Sequence, residues 1–199
     1  MTAPQSLLQM SGADLTPAKL SEAVLVMIDF QNEYLTGALP LSGVEDAVAE
    51  AARLLARARR EDTPIIHIAH AGRPGGAFDR SQDRGQIIGV VTPLEGETVI
   101  EKPRPNAFSS TTLQESLEAL GKEEVVLAGF MTHMCVSSTA RAALDLGYRT
   151  TIVTAATATR DLPGPDGTPV EASVLQRASL AALADRFAIL APTTDELPE

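Results

Sequence analysis

The sequence predicts a three-layer α/β/α fold on a mostly parallel, roughly six-stranded, Rossmann-like sheet. Two observations predict it. Short, uninterrupted apolar runs, such as Ala23–Ile28 and Val125–Ala128, read as strands buried on both faces. Segments with apolar residues at helical spacing separate those runs, and such alternation builds parallel βαβ units with helices on both faces. The 199 residues suffice for one such domain. It is read as residues 21–191, with 1–20 an N-terminal arm of at most weak structure and 192–199 a C-terminal tail.

The elements follow in order. Ala23–Ile28 is the first strand, ending at Asp29. Ser42 and Glu45 have capping-box spacing, and Val44, Ala47, Val48, Ala51, Leu54, Leu55 and Ala58 recur on one helical face. Arg57, Arg59 and Arg60 lie where the helix dipole favours cations. Pro64 opens a second strand, Ile65–Ala69. Ala71–Glu97 has no clean periodicity and holds six glycines, so it is read as a long functional loop. Val99–Glu101 is a short strand ending at Lys102. Thr112 and Glu115 form a second capping box before Leu113, Leu117 and Leu120, and Gly121 closes that helix. Val125–Ala128 is the fourth strand, Val136–Leu146 a helix, and Thr150–Val153 the fifth strand. Thr168, Pro169 and Glu171 read as the start of a last helix, followed by a strand at Phe187–Leu190.

Composition narrows the function classes. Hydrophobic residues make up 44% and charged residues 21%, ordinary for a globular protein. A net charge of −10 argues against nucleic acid and anionic membrane as partners. No apolar run is long enough to span a bilayer, and Met1–Leu20 lacks a basic start followed by an apolar core. The single cysteine excludes an internal disulfide framework and a cysteine-rich metal site. A cytoplasmic setting is expected.

In open α/β sheets the chemistry lies at the carboxyl ends of the strands. Asp29, Lys102 and Cys135 all fall there. Cys135 also sits where a strand becomes a helix, and the partial positive charge of a helix start favours thiolate over thiol. Each residue has a plainer reading: a small core cysteine, a turn aspartate, a solvated lysine. Their shared position at strand ends makes the nucleophile reading the stronger one. His67 lies mid-strand and reads as a packed, satisfied histidine. His70 and His133 read as pocket-lining. No metal-ligand histidine pattern is present, so no metal is expected.

Three motifs resemble the isochorismatase-like cysteine hydrolases. They are Ile28-Asp29-Phe30-Gln31-Asn32, Glu101-Lys102-Pro103-Arg104-Pro105-Asn106-Ala107-Phe108, and Gly129-Phe130-Met131-Thr132-His133-Met134-Cys135-Val136 with Thr139–Ala143 after it. The resemblance runs from about Ala23 to Leu190. It implies that Asp29, Lys102 and Cys135 are the catalytic triad and that the Phe130–Met131 peptide is cis. The N–H groups of Met131 and Cys135 would then form the oxyanion hole. It further implies a metal-independent amidohydrolase without cofactor, cleaving a C–N (amide or ureido) bond through a Cys135 thioester, in a homodimer or homotetramer. Substrate-binding candidates are Phe30, Gln31, Tyr34, Phe108 and His133, with Arg84 for a substrate carboxylate. The alternatives are a vinyl-ether hydrolase of the isochorismatase type and a non-enzymatic thiol sensor or interaction module.

Overall fold

The structure, a computed structural model, describes residues 3–199. Six parallel strands form the central sheet: β1 (Ala23–Ile28), β2 (Ile65–His70), β3 (Thr98–Lys102), β4 (Glu124–Phe130), β5 (Arg149–Ala158) and β8 (Ile189–Ala191), in the spatial order β3-β2-β1-β4-β5-β8. A two-stranded hairpin, β6 (Leu162–Pro163) with β7 (Pro169–Val170), stands apart. β1 shows why the sheet has a core on each side. Every β1 residue is buried, and the side chains alternate: Ala23, Leu25 and Met27 enter the core under α2 (Val44–Arg60), while Val24, Val26 and Ile28 enter the other. That second core lies under α3 (Leu113–Leu120), α4 (Ser137–Asp145) and α5 (Ala172–Arg186). Among the described residues no helix is long and apolar enough to cross a membrane.

Several local expectations are corrected. Ser42 does not cap α2. Gly43 is the N-cap in a left-handed conformation, and the Ser42 N–H donates to the Thr159 carbonyl at 2.9 Å. Thr112 occupies the N-cap of α3, but its side chain makes no capping bond. Thr168 and Pro169 belong to the hairpin, not to a helix start. α5 begins at Ala172, whose N–H donates to Asp161 Oδ1 at 2.8 Å. Only at α5 does a distant acceptor, Asp161, stand in for the local cap.

The arm is more structured than its composition suggests. α1 (Leu7–Met10) carries a complete capping box from Ser6 and Gln9, and the Leu7 N–H donates to Asp185 Oδ1 on α5. The Ala18 N–H donates to Thr151 Oγ1, and Ala18 and Leu20 are buried. The tail is fastened similarly. Glu50 accepts the Thr194 N–H at 2.6 Å, and Arg57 donates to the carbonyls of Thr194, Leu197 and Pro198.

The Ala71–Glu97 stretch is ordered by contacts rather than by periodic structure. Ile87 bridges to Gln31, the Ile88 N–H donates to the Phe30 carbonyl, and Phe78, Ile88 and Val91 are buried in the α2-side core. Gly85 is required there: a Cβ would stand 2.0 Å from the Asp79 carbonyl oxygen.

Candidate active site

Four consecutive strands of the sheet, β3, β2, β1 and β4, deliver the site. β1 ends at Asp29, which takes φ 53°, a left-handed conformation that aspartate tolerates better than most residues. Its N–H donates to the Ile68 carbonyl at 2.9 Å, fixing the turn against β2. Lys102 is the last residue of β3 and pairs in register with His70, the last of β2. β4 ends at Phe130, and the Phe130–Met131 peptide is cis. A π-helical turn, Thr132–Val136, follows and carries Cys135 into α4. Gly129 lets this end of β4 lie against β1, since a Cβ there would fall 2.1 Å from the Ile28 carbonyl oxygen.

These routes converge on the Lys102 amine. Its Nζ stands 2.7 Å from Asp29 Oδ2, 3.4 Å from Cys135 Sγ and 3.3 Å from His70 Nδ1. Asp29 and Lys102 are fully buried and Cys135 is 4% exposed. A buried ion pair survives only when its partners compensate for lost hydration. Here carboxylate, amine and thiol compensate one another.

The electrostatics correct one expectation. Burial is the largest influence on the Cys135 thiol and, with the neighbouring Asp29 carboxylate, pushes it up to about 12 against the lowering effect of Lys102. At rest the sulfur is therefore a thiol; the helix start does not hold a free thiolate in so dry a site. Burial likewise raises Asp29, opposed by Lys102 and by a hydrogen bond from the thiol. Burial and Lys102 both push His70 down, so its ring is neutral.

The predicted lining residues divide. Phe30 and Tyr34 are buried in a cluster with Phe130 and Phe78, with ring centroids 4.7–5.6 Å apart. Burial, with the Asp29 carboxylate close by, pushes the Tyr34 phenol up. His133 is half-buried, and its Nδ1 meets Thr159 Oγ1 at 2.5 Å. Its Nε2 is buried with no hydrogen-bond partner.

Gln31 does not face a substrate. Its amide N–H groups donate to the His70 and Gly85 carbonyls, and its Oε1 accepts the His70 N–H at 2.8 Å. Phe108 turns away, stacking on Tyr148, which precedes the amino-terminal end of β5. Arg84 is paired through Nε and Nη2 with the fully buried Glu33 carboxylate, at 2.5 and 2.8 Å, so its charge is already compensated within the protein.

Arg160 was not singled out from the sequence. It lies two residues past the end of β5, its Nε is buried without a hydrogen-bond partner, and its charge acts on both Tyr34 and His133. It also lines, with Ala38–Ser42 and Asp161, a cavity of about 450 Å³. The missing signal was β5 itself. Leu127 pairs with Ile152 but Gly129 with Thr157, so a bulge interrupts the strand after Val153 and the sequence there reads as loop. Among the described residues no group of three His, Cys, Asp or Glu side chains is placed to hold a metal ion.

Comparison with known proteins shows the family. Residues 23–195 match the isochorismatase domain. A secreted isochorismatase effector of Verticillium dahliae is 38% identical over 188 residues, covering 94% of this chain and 96% of that protein. Maleamate amidohydrolase of Pseudomonas putida is 36% identical over 146 residues, covering 65% of this chain and 68% of that one. The crystal structure of an isochorismatase from Pseudomonas putida shares 48% identity at a TM-score of 0.94, covering 98% of this chain and 100% of that one. The chain therefore belongs to the isochorismatase family of hydrolases.

Proposed function

We propose that this chain is a cysteine amidohydrolase that cleaves the C–N bond of a small amide or ureido compound bearing an anionic group. The observation that carries the reading is the convergence of Asp29 and Cys135 on one buried lysine. A carboxylate beside a resting thiol can take its proton as the sulfur attacks, and the lysine offsets the charge that develops.

In this mechanism the Cys135 thiol gives its proton to Asp29 as Sγ bonds to the substrate carbonyl carbon. The oxyanion is received by the Met131 and Cys135 N–H groups. Asp29 passes the proton to the departing nitrogen, the C–N bond breaks, and an acyl thioester remains on Cys135. Water then gives a proton to Asp29 and attacks the acyl carbon. The C–S bond breaks, the acid departs, and the thiolate recovers its proton from Asp29. No step calls for a metal or cofactor. Arg160 is the cation in this reading, since its Nε is buried without a hydrogen-bond partner and its charge acts on Tyr34 and His133. The maleamate named for one relative is such an anionic amide. The working form is read as a homodimer or homotetramer, a role that the exposed Val174 on α5 fits.

The test is ammonia release from a panel of small amides and ureido acids, with wild type, Cys135→Ala and Asp29→Asn. Release by wild type alone supports the reading. Release that survives Cys135→Ala excludes the thioester route. Cleavage of isochorismate with no amide turned over would move the assignment to a vinyl-ether hydrolase.

A further inference from the structure

Lys102 has a third partner that the mechanism above leaves unused. An ammonium has three N–H donors and no acceptor. Cys135 Sγ, 3.4 Å from Nζ, takes one of these directions and His70 Nδ1, at 3.3 Å, takes another, while Asp29 Oδ2 stands 2.7 Å from Nζ as its ion-pair partner. Since Nζ can only donate, Nδ1 must accept, and the imidazole proton must sit on Nε2. We infer that His70 is a positioning residue for Lys102, fixing its ammonium between Asp29 and the sulfur by accepting one of its N–H groups in the neutral, Nε2-protonated tautomer.

The surroundings of His70 suit that role. Its backbone is clamped on both sides by Gln31, which accepts the His70 N–H at 2.8 Å and donates to its carbonyl at 3.0 Å. Phe78 meets the ring edge-on with centroids 5.2 Å apart. The register pairing of His70 with Lys102 sets the two side chains at adjacent strand ends. The charged groups facing the ring are Lys102 from β3 and Asp29 from the end of β1; the remaining contacts, Gln31 and Phe78, do not titrate. Burial and Lys102 both favour the neutral ring that this bond requires. Without the acceptor, a fully buried ammonium would keep an unmet N–H, and its place beside the sulfur would no longer be fixed.

The inference rests on the Asp29–Lys102–Cys135 reading but can be tested without turnover. Cys135 is the only cysteine, so alkylation by iodoacetamide reports that sulfur alone. The pH dependence of alkylation is measured for wild type, His70→Leu and His70→Asn, with folding checked by circular dichroism. His70→Leu removes the acceptor and should slow alkylation at pH 8 about tenfold, the size expected for one hydrogen bond to a charged group. His70→Asn places a non-titrating oxygen near the position of Nδ1 and should restore the wild-type rate. A leucine variant as fast as wild type, or an asparagine variant as slow as leucine, would overturn the inference. Nitrogen-15 NMR of wild type gives a check that needs no variant: the neutral ring should carry its proton on Nε2, and a proton on Nδ1 would overturn the assignment. Failure of the amide panel with this alkylation pattern intact would count against the hydrolase reading alone.

Discussion

Asp29 leaves β1 in a left-handed conformation, and that turn brings its carboxylate across the strand ends to Lys102. Gly129 does the complementary work on β4, where a methyl group would strike the Ile28 carbonyl. Arg160 is where residue-level specificity is predicted. Arg160→Ala should raise KM for an amide carrying a carboxylate by roughly 10- to 100-fold, the loss of one charge-assisted hydrogen-bonded pair, and change kcat much less. A neutral amide should be turned over as by wild type. Steady-state kinetics on a matched pair of substrates checks this, and equal losses on both would remove Arg160 from recognition. The sequence singled out Asp29, Lys102 and Cys135 because each lies at or just beyond a strand's carboxyl end and in a family-like motif, and the structure brings all three together. For Gln31, Phe108 and Arg84 the sequence does not show the internal partners that engage them: two backbone segments, Tyr148 and Glu33.

At the scale of elements, a long-range polar contact does at α5 what local capping was expected to do. Asp161 meets the first N–H of α5, and Thr159 takes the N–H of Ser42. The same pattern locks the start of β3 to α2. Glu97 accepts from Arg59 at 2.7 and 2.9 Å, from the Leu94 N–H at 2.9 Å, and meets His67 Nε2 at 2.9 Å. Burial disfavours the charged carboxylate, but Arg59, the Leu94 N–H and His67 outweigh it and hold Glu97 at about 2. A carboxyl depressed on folding stabilises the fold above its unfolded value of 4.5, and that contribution is lost as pH falls towards about 2. Glu97→Gln should therefore cost about 2–3 kcal/mol at pH 7. The difference from wild type should shrink as unfolding is measured at pH values falling from 4.5 towards 2. A constant difference would mean that the charge is not the source. The expectation of a packed, satisfied His67 matches this network. The bulge in β5 could not be foreseen, because its extra residues carry no periodic signal and are fixed only by pairing, as when the Ala155 N–H donates to the Pro192 carbonyl.

At the scale of the molecule, the parallel six-stranded sheet was legible because apolar runs and helical faces alternate along nearly the whole chain, while its strand order is set by long-range pairing that no local pattern encodes. The two ends were not legible, because their stability comes from contacts with distant residues. Residues 3–20 reach Thr151, Asp185 and Arg149, and with α4 and α5 they border an apolar cavity of about 440 Å³ lined by Leu8, Leu144, Tyr148 and Phe187. Deleting residues 1–17 would open that cavity and remove the Leu7–Asp185 bond. A loss of about 1–2 kcal/mol lowers Tm by roughly 2–8 °C for a domain of this size, and a calorimetric scan should show it. An unchanged Tm would make the arm a passive strap. Asp29, Lys102 and Cys135 lie at the opposite, carboxyl ends of the strands, so the truncated chain should keep its alkylation rate at Cys135. The central claim, that one sulfur carries the acyl group, is tested most directly by weighing the intact chain after acid-quenching turnover of an active amide. A single acyl adduct on wild type that is absent from Cys135→Ala is the predicted result. Ammonia released in full while the chain keeps its unmodified mass, with Cys135→Ala as active as wild type, would contradict it.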